Sequence, residues 1–280
     1  MQAASAPNGF VRRAKAAARD FCPKPLLLWR EARYFEKYGE RELRLVRYLC
    51  QRERDAVDVG AHEGSYVHFM KRHARRVYAF EPVPSLAEAL AWKFAPRVVV
   101  RNIALSRESG TAILRIPLIE GAALTGLASL NDGAGATTAI TEIAVQTRPL
   151  DEVFAGDAGF IKVDVEGHEE AVLDGAARTI ARCRPRLLIE IEEGRMPGAP
   201  SRIHAFLRRF NYRGYFVCGR TLAAFEMFDP ATMQRPADIA GFRAGVPRQS
   251  FDRYCNNFLF LADEEAEPLS ARIAAALRRI

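Results

Sequence analysis

At 280 residues, with 49% hydrophobic and 27% charged side chains, the chain has the composition of a globular protein with one large domain plus an added segment, or two small ones. No apolar run approaches the roughly 20 residues that span a bilayer, and Met1 to Phe10 lack the apolar core of a signal peptide, so a cytoplasmic protein is expected. The net charge of +7, with a pI of about 9.3, admits an acidic partner. Yet arginine outnumbers lysine by 35 to 6 beside abundant alanine, and no aromatic-interleaved basic stretch marks a nucleic-acid platform, so nucleic acid is not the expected partner.

Residues 1–52 read as a helical segment. Val11 to Arg19 is basic and helical in character, which leaves peripheral contact with an acidic membrane face open. Pro23 and Pro25 separate it from the next helix. Leu43, Val46, Leu49 and Cys50 recur at helical spacing. This segment is expected to act as a lid or brace on the main domain. The five cysteines are odd in number, scattered and without a C-x-x-C pair, which argues for buried small hydrophobes rather than disulfides or zinc.

From Asp55 strands and helices alternate. Strands are predicted at 56–59, 76–81, 97–104, 159–165, 186–192, 213–218 and 256–262, and helices at 64–73, 84–93, 168–180 and 201–210. Crossover helices between strands imply a parallel sheet. The last two strands have no clear helix between them, which suggests an antiparallel edge. The main domain is placed at 53–265 and a terminal helix at 266–280. Two insertions interrupt the pattern, 106–150 with strands at 111–117 and 141–148, and the Pro/Gly-rich 229–250. Residues 119–140 and 229–250 have compositions that disfavour packing, and are expected to be mobile lids beside the acceptor site.

Two strand ends carry the chemistry. The first strand runs into Val57-Asp58-Val59-Gly60-Ala61-His62-Glu63-Gly64, and the second ends in Glu81, 21 residues beyond Gly60. An acid there is positioned to accept from two ribose hydroxyls. Gly60 allows the sharp turn, and Gly64 is read as allowing a ligand close to the next helix. The loop is G-x-x-x-G, not G-x-G-x-x-G, and Glu63 would oppose a pyrophosphate. No triphosphate loop occurs elsewhere. A nucleoside without phosphates, such as S-adenosylmethionine, fits better. The second strand end reads Phe160-Ile161-Lys162-Val163-Asp164-Val165-Glu166-Gly167-His168-Glu169-Glu170. Alternation puts Lys162, Asp164 and Glu166 on one side. Glu169 and Glu170 suit the first turn of a helix. Asp164 and His168 are candidate bases for a hydroxyl. Alternatively Asp164, Glu166 and Glu190 hold a divalent ion such as magnesium that acidifies it.

In that order V-D-V-G-A-H-E-G-S-Y, Y-A-F-E-P, N-I-A-L-S at 102–106, P-L-D-E at 149–152, F-I-K-V-D-V-E-G-H-E-E-A-V-L-D-G-A at 160–176 and L-I-E-I at 188–191 resemble the FkbM family of S-adenosylmethionine-dependent methyltransferases, over roughly 53–262. The resemblance implies an α/β, Rossmann-like class I methyltransferase fold, with a seven-stranded, mostly parallel sheet and helices on both faces. It implies O-methylation of a hydroxyl on a sugar, glycolipid or natural product. It carries Asp58, Gly60, Ala61, His62, Gly64, Tyr66, Glu81, Pro82, Asn102, Ala104 and Asp164 to the cofactor, and Lys162, Asp164, Glu166 and His168 to catalysis. His62-Glu63 departs from it, since relatives often carry Asn there. The competing readings are a nucleic-acid or protein methyltransferase and a cofactor-binding scaffold without turnover. The absence of N-P-P-Y or D-P-P-Y argues against base amino-methylation, and the absence of a P-C dipeptide against a cysteine nucleophile.

Overall fold

The computed structural model describes residues 23–119, 122–123, 125–130, 139–241 and 246–279. The basic stretch Val11 to Arg19, Cys22, and the predicted lid residues 131–138 and 242–245 lie outside them. Helix α1 (Lys24–Tyr38) is followed by short turns at Arg41–Arg44 and Val46–Leu49. The chain then enters β1 (Asp55–Val59), α2 (Ser65–Met70), β2 (Val77–Phe80), α3 (Pro84–Phe94) and β3 (Val98–Arg101).

The insertion forms β4 (Ala104–Leu105), β5 (Gly110–Ile119), β6 (Ala122–Ala123) and β7 (Ala139–Arg148), a separate four-stranded sheet ordered β4-β7-β5-β6. Its long pair, β5 against β7, matches the two strands expected at 111–117 and 141–148. The chain continues as β8 (Ala158–Val163), α4 (Glu169–Asp174), α5 (Ala177–Cys183), β9 (Arg186–Glu190), α6 (Ala199–Arg208), β10 (Tyr212–Cys218), β11 (Thr221–Ala224), β12 (Asn257–Ala262) and α7 (Asp263–Leu277). The single helix expected at 168–180 is thus two, broken at Gly175 and Ala176.

The main sheet has eight strands, not seven, in the order β11-β10-β12-β9-β8-β1-β2-β3. The eighth is β11, which folds back on β10 through Gly219 (φ +58°) as an antiparallel hairpin. Within this sheet β3, β2, β1, β8 and β9 are parallel, while β12 pairs antiparallel with both β9 and β10. The expected antiparallel edge is therefore present. Chain order runs outward through β1, β2 and β3 on one side and through β8 and β9 on the other, where β12 is then inserted between β9 and β10. The strand order reverses between β1 and β8, and the crevice beyond their C-terminal ends is where such sheets bind ligands.

Alternation along each strand builds two cores. Val57, Val59, Ile161, Val163, Leu187 and Ile189 join Val172, Ile180 and Ile203 on one face. Ala56, Phe160, Leu188 and Leu259 join Leu49, Val67, Leu90 and Ile273 on the other. Both faces are therefore covered by helices. Cys50, Cys183 and Cys255 are buried within this packing.

Candidate active site

A cleft of about 500 Å³ opens at the reversal point, a size suited to a nucleoside-sized ligand plus a second group. Two turns in left-handed conformation shape its floor. After β1, Gly60, His62 and Gly64 all have positive φ, and after β8 so do Glu166 and Gly167. Glycine is required at 60 because a Cβ would lie 1.9 Å from the Asp164 carbonyl oxygen. The two turns thus pack directly on each other, and the Asp164 amide donates to the Val59 carbonyl at 3.0 Å. Gly64 corrects the expectation. Its missing Cβ would meet Leu90 and Phe94 at 2.7 Å, so helix packing rather than ligand approach demands it, and it does not line the cleft. His62 sits at φ +46°, a conformation that Asn tolerates well and His better than most residues.

Glu81 directly follows β2 and is 4% exposed. One carboxylate oxygen accepts from the His62 amide at 2.8 Å and the other from the Val83 amide at 2.9 Å. Burial pushes its pKa up, and those amides oppose the shift. Each oxygen keeps a further lone pair for a ligand hydroxyl. Beside it Val83, Ile103, Ala104, Leu114 and Leu130 give the cleft an apolar wall. Asn102 does not line the cleft. Its side-chain amide donates to the carbonyls of Glu81 and Pro82, both at 2.9 Å, and so fixes the strand end instead.

The remaining sequence-predicted residues, Asp58, Gly60, Ala61, His62, Tyr66, Glu81, Pro82, Ala104, Lys162, Asp164, Glu166, His168 and Glu190, all line one cleft. Asp58 is 2% exposed and one of its carboxylate oxygens has no partner. Burial pushes its pKa up to about 7, although Lys162 opposes this.

Lys162 is fully buried at the centre. Its ammonium lies 3.6 Å from Asp164, 3.9 Å from Glu190 and 5.1 Å from the centroid of the Tyr66 ring. Burial acts to lower its pKa, but Asp164, Glu190, Glu40 and Asp58 together raise it above the ordinary value. Lys162 is therefore a fixed cation and not a proton acceptor. Glu190 is raised well above the usual carboxylate range by burial and by Asp164. Glu166 is raised by burial and Asp164 and opposed by Arg195, whose guanidinium lies 2.9 Å away.

No group of three His, Cys, Asp or Glu side chains suited to a metal occurs among the described residues. Of the three expected magnesium ligands, Asp164 and Glu190 lie 3.6 and 3.9 Å from the Lys162 ammonium and Glu166 is paired with Arg195 at 2.9 Å, so this cation-bearing set does not fit a divalent ion.

His168 opens α4, and its Nε2 lies 3.0 Å from the Ser106 hydroxyl. Burial, then Arg107, lowers its pKa, which keeps the ring neutral and able to accept a proton near pH 7. Glu169 is buried and accepts from the Gly167 amide at 2.8 Å, and Glu170 pairs with Arg202 at 2.6 Å. Both stabilise the turn and helix start.

Other lining residues come from the N-terminal segment and the two insertions, where the sequence marked a brace and lids but no individual contact. Phe35, Tyr38, Glu40 and Leu43 come from the N-terminal segment, and the Tyr66 hydroxyl donates to Glu40 at 2.7 Å. The first insertion reaches over the cleft: His62 Nε2 lies 2.9 Å from the Thr125 hydroxyl, and Ser129 donates to the Glu166 carbonyl at 2.8 Å. The second contributes Ile239 and Arg248, and Arg248 donates to Asn256 at 2.9 Å. That segment is pinned by Gln234, whose amide donates to the Ile191 and Cys255 carbonyls and accepts from the Glu193 amide. A single buried side chain here offsets a composition that disfavours packing.

The model of the methyltransferase FkbM domain matches residues 58–214. Among solved structures, a methyltransferase FkbM from Methylobacillus flagellatus KT is 18% identical, with a TM-score of 0.46, over 75% of this chain and 44% of that one. This chain therefore spans less than half the length of that protein. An rRNA methylase from Streptococcus thermophilus is 10% identical, with a TM-score of 0.41, over 79% and 93% of the two chains. A TehB-like SAM-dependent methyltransferase from Corynebacterium glutamicum is 14% identical, with a TM-score of 0.38, over 80% and 85%. No curated protein sequence matches the chain.

Proposed function

The chain belongs to the FkbM methyltransferase domain family, and from that premise we propose that it uses S-adenosylmethionine to O-methylate a hydroxyl of a sugar, glycolipid or natural product. The observation that carries the reading is one cleft with two chemically different ends. At the β2 end Glu81 faces an apolar wall, which suits a ribose beside a flat base. Asp58 keeps an unpartnered carboxylate oxygen, an acceptor for an ammonium. At the β8 and β9 ends the lining is polar, with Asp164, Glu166, Glu190, Glu192, Asn256 and Arg248. These are hydrogen-bonding groups for a hydroxylated acceptor.

The bound cofactor would supply a methyl group on a positively charged sulfur. The chain's own residues then have two tasks. One is alignment of the acceptor oxygen, which in favourable model systems removes up to ~7–11 kcal/mol of barrier. The other is to take the hydroxyl proton, for which Asp164 and neutral His168 are the candidates. Lys162 holds Asp164 in place and keeps the carboxylates from repelling one another.

Calorimetry with S-adenosylmethionine and its demethylated product tests the cofactor half. Saturable binding is expected, weakened by about 2–3 kcal/mol in Glu81→Ala, since charge-assisted hydrogen bonds are lost. No heat with either ligand, but saturable NAD binding, would overturn it. A screen of sugars, lipids and polyketides with methyl-labelled cofactor tests the acceptor half, and label transfer only to nitrogen would overturn O-methylation.

A further inference from the structure

The outward side of α1 is not accounted for by the cleft. The inward side is: Ala32 is buried, Leu28 and Phe35 pack on the core, and Glu31 turns in to Lys93 at 3.1 Å and His68 at 3.2 Å. What remains outside is Leu26, Trp29, Arg30, Arg33, Tyr34 and Lys37, all exposed at helical spacing. Leu26, Trp29 and Tyr34 are 47%, 60% and 46% exposed. Trp92, 53% exposed on α3, continues the patch, with the Lys24 ammonium 5.5 Å from its ring. Of the seven large hydrophobics exposed among the described residues, four belong to this patch. They are therefore clustered, and a contiguous patch of this kind marks an interaction surface.

Its charge is equally one-sided. Arg30, Arg33 and Lys37 interleave the apolar residues on α1. Lys24 lies over the Trp92 ring and Lys71 over the Phe94 ring, 5.5 and 4.8 Å from the centroids, so two further cations flank α3 beside the patch. The acids nearby are Glu31, turned inward to Lys93 and His68, Glu36, 3.9 Å from Arg33, and Glu88 on α3. Nucleic acid would use the cations and stack on Trp29 or Tyr34, but it would leave the exposed Leu26 without a partner. Tryptophan and tyrosine beside arginine and lysine on one helix face is the chemistry of the bilayer interface, where rings sit at headgroup level and cations meet anionic lipid.

We infer that the outer face of α1, with Trp92, docks on an anionic membrane surface. No helix among the described residues is long and apolar enough to cross a membrane, so the contact is peripheral. Because the same helix supplies Phe35 and Tyr38 to the cleft, docking would bring the cleft to the membrane. The inference does not depend on which acceptor is methylated.

The test is flotation of the full chain with phosphatidylcholine vesicles, with and without phosphatidylglycerol. Binding should be tighter by about tenfold or more with the anionic lipid, and should weaken as salt is raised. Trp29 and Trp92 are the only tryptophans in the chain, so intrinsic emission reads this face alone and should shift to the blue on binding. The double variant Arg30→Glu, Arg33→Glu changes exposed side chains only. It should unfold like the wild type and bind about tenfold or more weakly. Equal binding to both vesicles, unchanged binding by the double variant, or binding without a shift in emission would each overturn the inference. RNA binding without vesicle binding would reassign the face to nucleic acid. Dimerisation abolished by Trp29→Ser, again without vesicle binding, would reassign it to a second copy.

Discussion

The two faces of the central sheet differ by one step along each strand. Val57, Ile161, Val163 and Ile189 enter a core of apolar side chains. Asp58, Lys162 and Glu190, their neighbours in sequence, turn to the other face, whose own apolar core of Ala56, Phe160 and Leu188 gives way at the strand ends to the Lys162 ammonium beside Tyr66, Asp164 and Glu190. Burying apolar groups stabilises by roughly 25 cal/mol per Å², whereas each buried ion costs several kcal/mol before any partner is counted. The charged side is tolerated because one ammonium serves several carboxylates. The comparison teaches that the cost is local: it is confined to the C-terminal strand ends, where a ligand would bind, and perturbed groups of this kind concentrate at functional sites.

The largest expected effect lies at Asp164. Asp164→Asn keeps the shape and removes the charge. We expect kcat to fall by about 10²–10⁴, the range for a lost acid–base group, with cofactor affinity little changed. A variant that folds, binds cofactor and turns over normally would make Asp164 structural and move the role to His168. EDTA should leave wild-type activity intact, since Lys162 and Arg195 already pair with the expected metal ligands. Activity lost to EDTA and restored by magnesium would break that reading.

Next is the contrast between faces itself. Lys162→Met removes the shared cation and should cost about 3–5 kcal/mol at about pH 8. Ile161→Val, one residue away on the apolar side, should cost about 0.5–1.5 kcal/mol. The sign with pH separates them. Without Lys162, buried Asp58 and Glu190 lose the cation that opposes their burial, so their folded pKa values rise further above the unfolded ones. Stability then declines as pH rises through that range and recovers as pH falls. Denaturant melts at about pH 8 and about pH 5.5 should show a smaller deficit for Lys162→Met at the lower pH and an unchanged one for Ile161→Val. Equal deficits at both would mean the cluster is not electrostatically linked.

The parts legible in sequence were those with local causes. The G-x-x-x-G turn and the K-x-D-x-E-G-H-E run announced both strand ends, because each contains its own strand, turn and acid. Long-range packing was not legible. Gly64 looked like a ligand contact, yet its reason is two side chains on α3. Asn102 sits within a recognisable run but bonds backward to Glu81 and Pro82. Glu40 and Tyr38 enter the cleft only because α1 docks beside α2, and nothing in Lys37-Tyr38-Gly39-Glu40 predicts that partner. The eighth strand was missed because β11 is four residues long and follows a two-residue turn.

Apart from the Ile161→Val control, the smallest expected effect concerns that docking, and it asks whether the charged strand ends depend on α1. Glu31 accepts from both Lys93, 4% exposed, and His68, 1% exposed. Burial alone would raise its pKa, but the His68 and Lys93 contacts outweigh burial and hold it down at about 2. A carboxylate with a depressed folded pKa stabilises the fold fully above its unfolded value of about 4.5 and loses that contribution as pH falls toward about 2. His68 works in the same direction: burial lowers its pKa, so protonation below about 6.5 favours the unfolded chain. Glu31→Gln should therefore cost about 1–2 kcal/mol at neutral pH, between the values for exposed and fully buried pairs. The gap to wild type should close as the acid limit is approached. Measured by denaturant melts across pH, a gap that stays constant down to about pH 2 would mean that Glu31 acts through packing rather than charge. If Glu31→Gln also weakens cofactor binding, the N-terminal helix is part of the site's electrostatics and not only its wall.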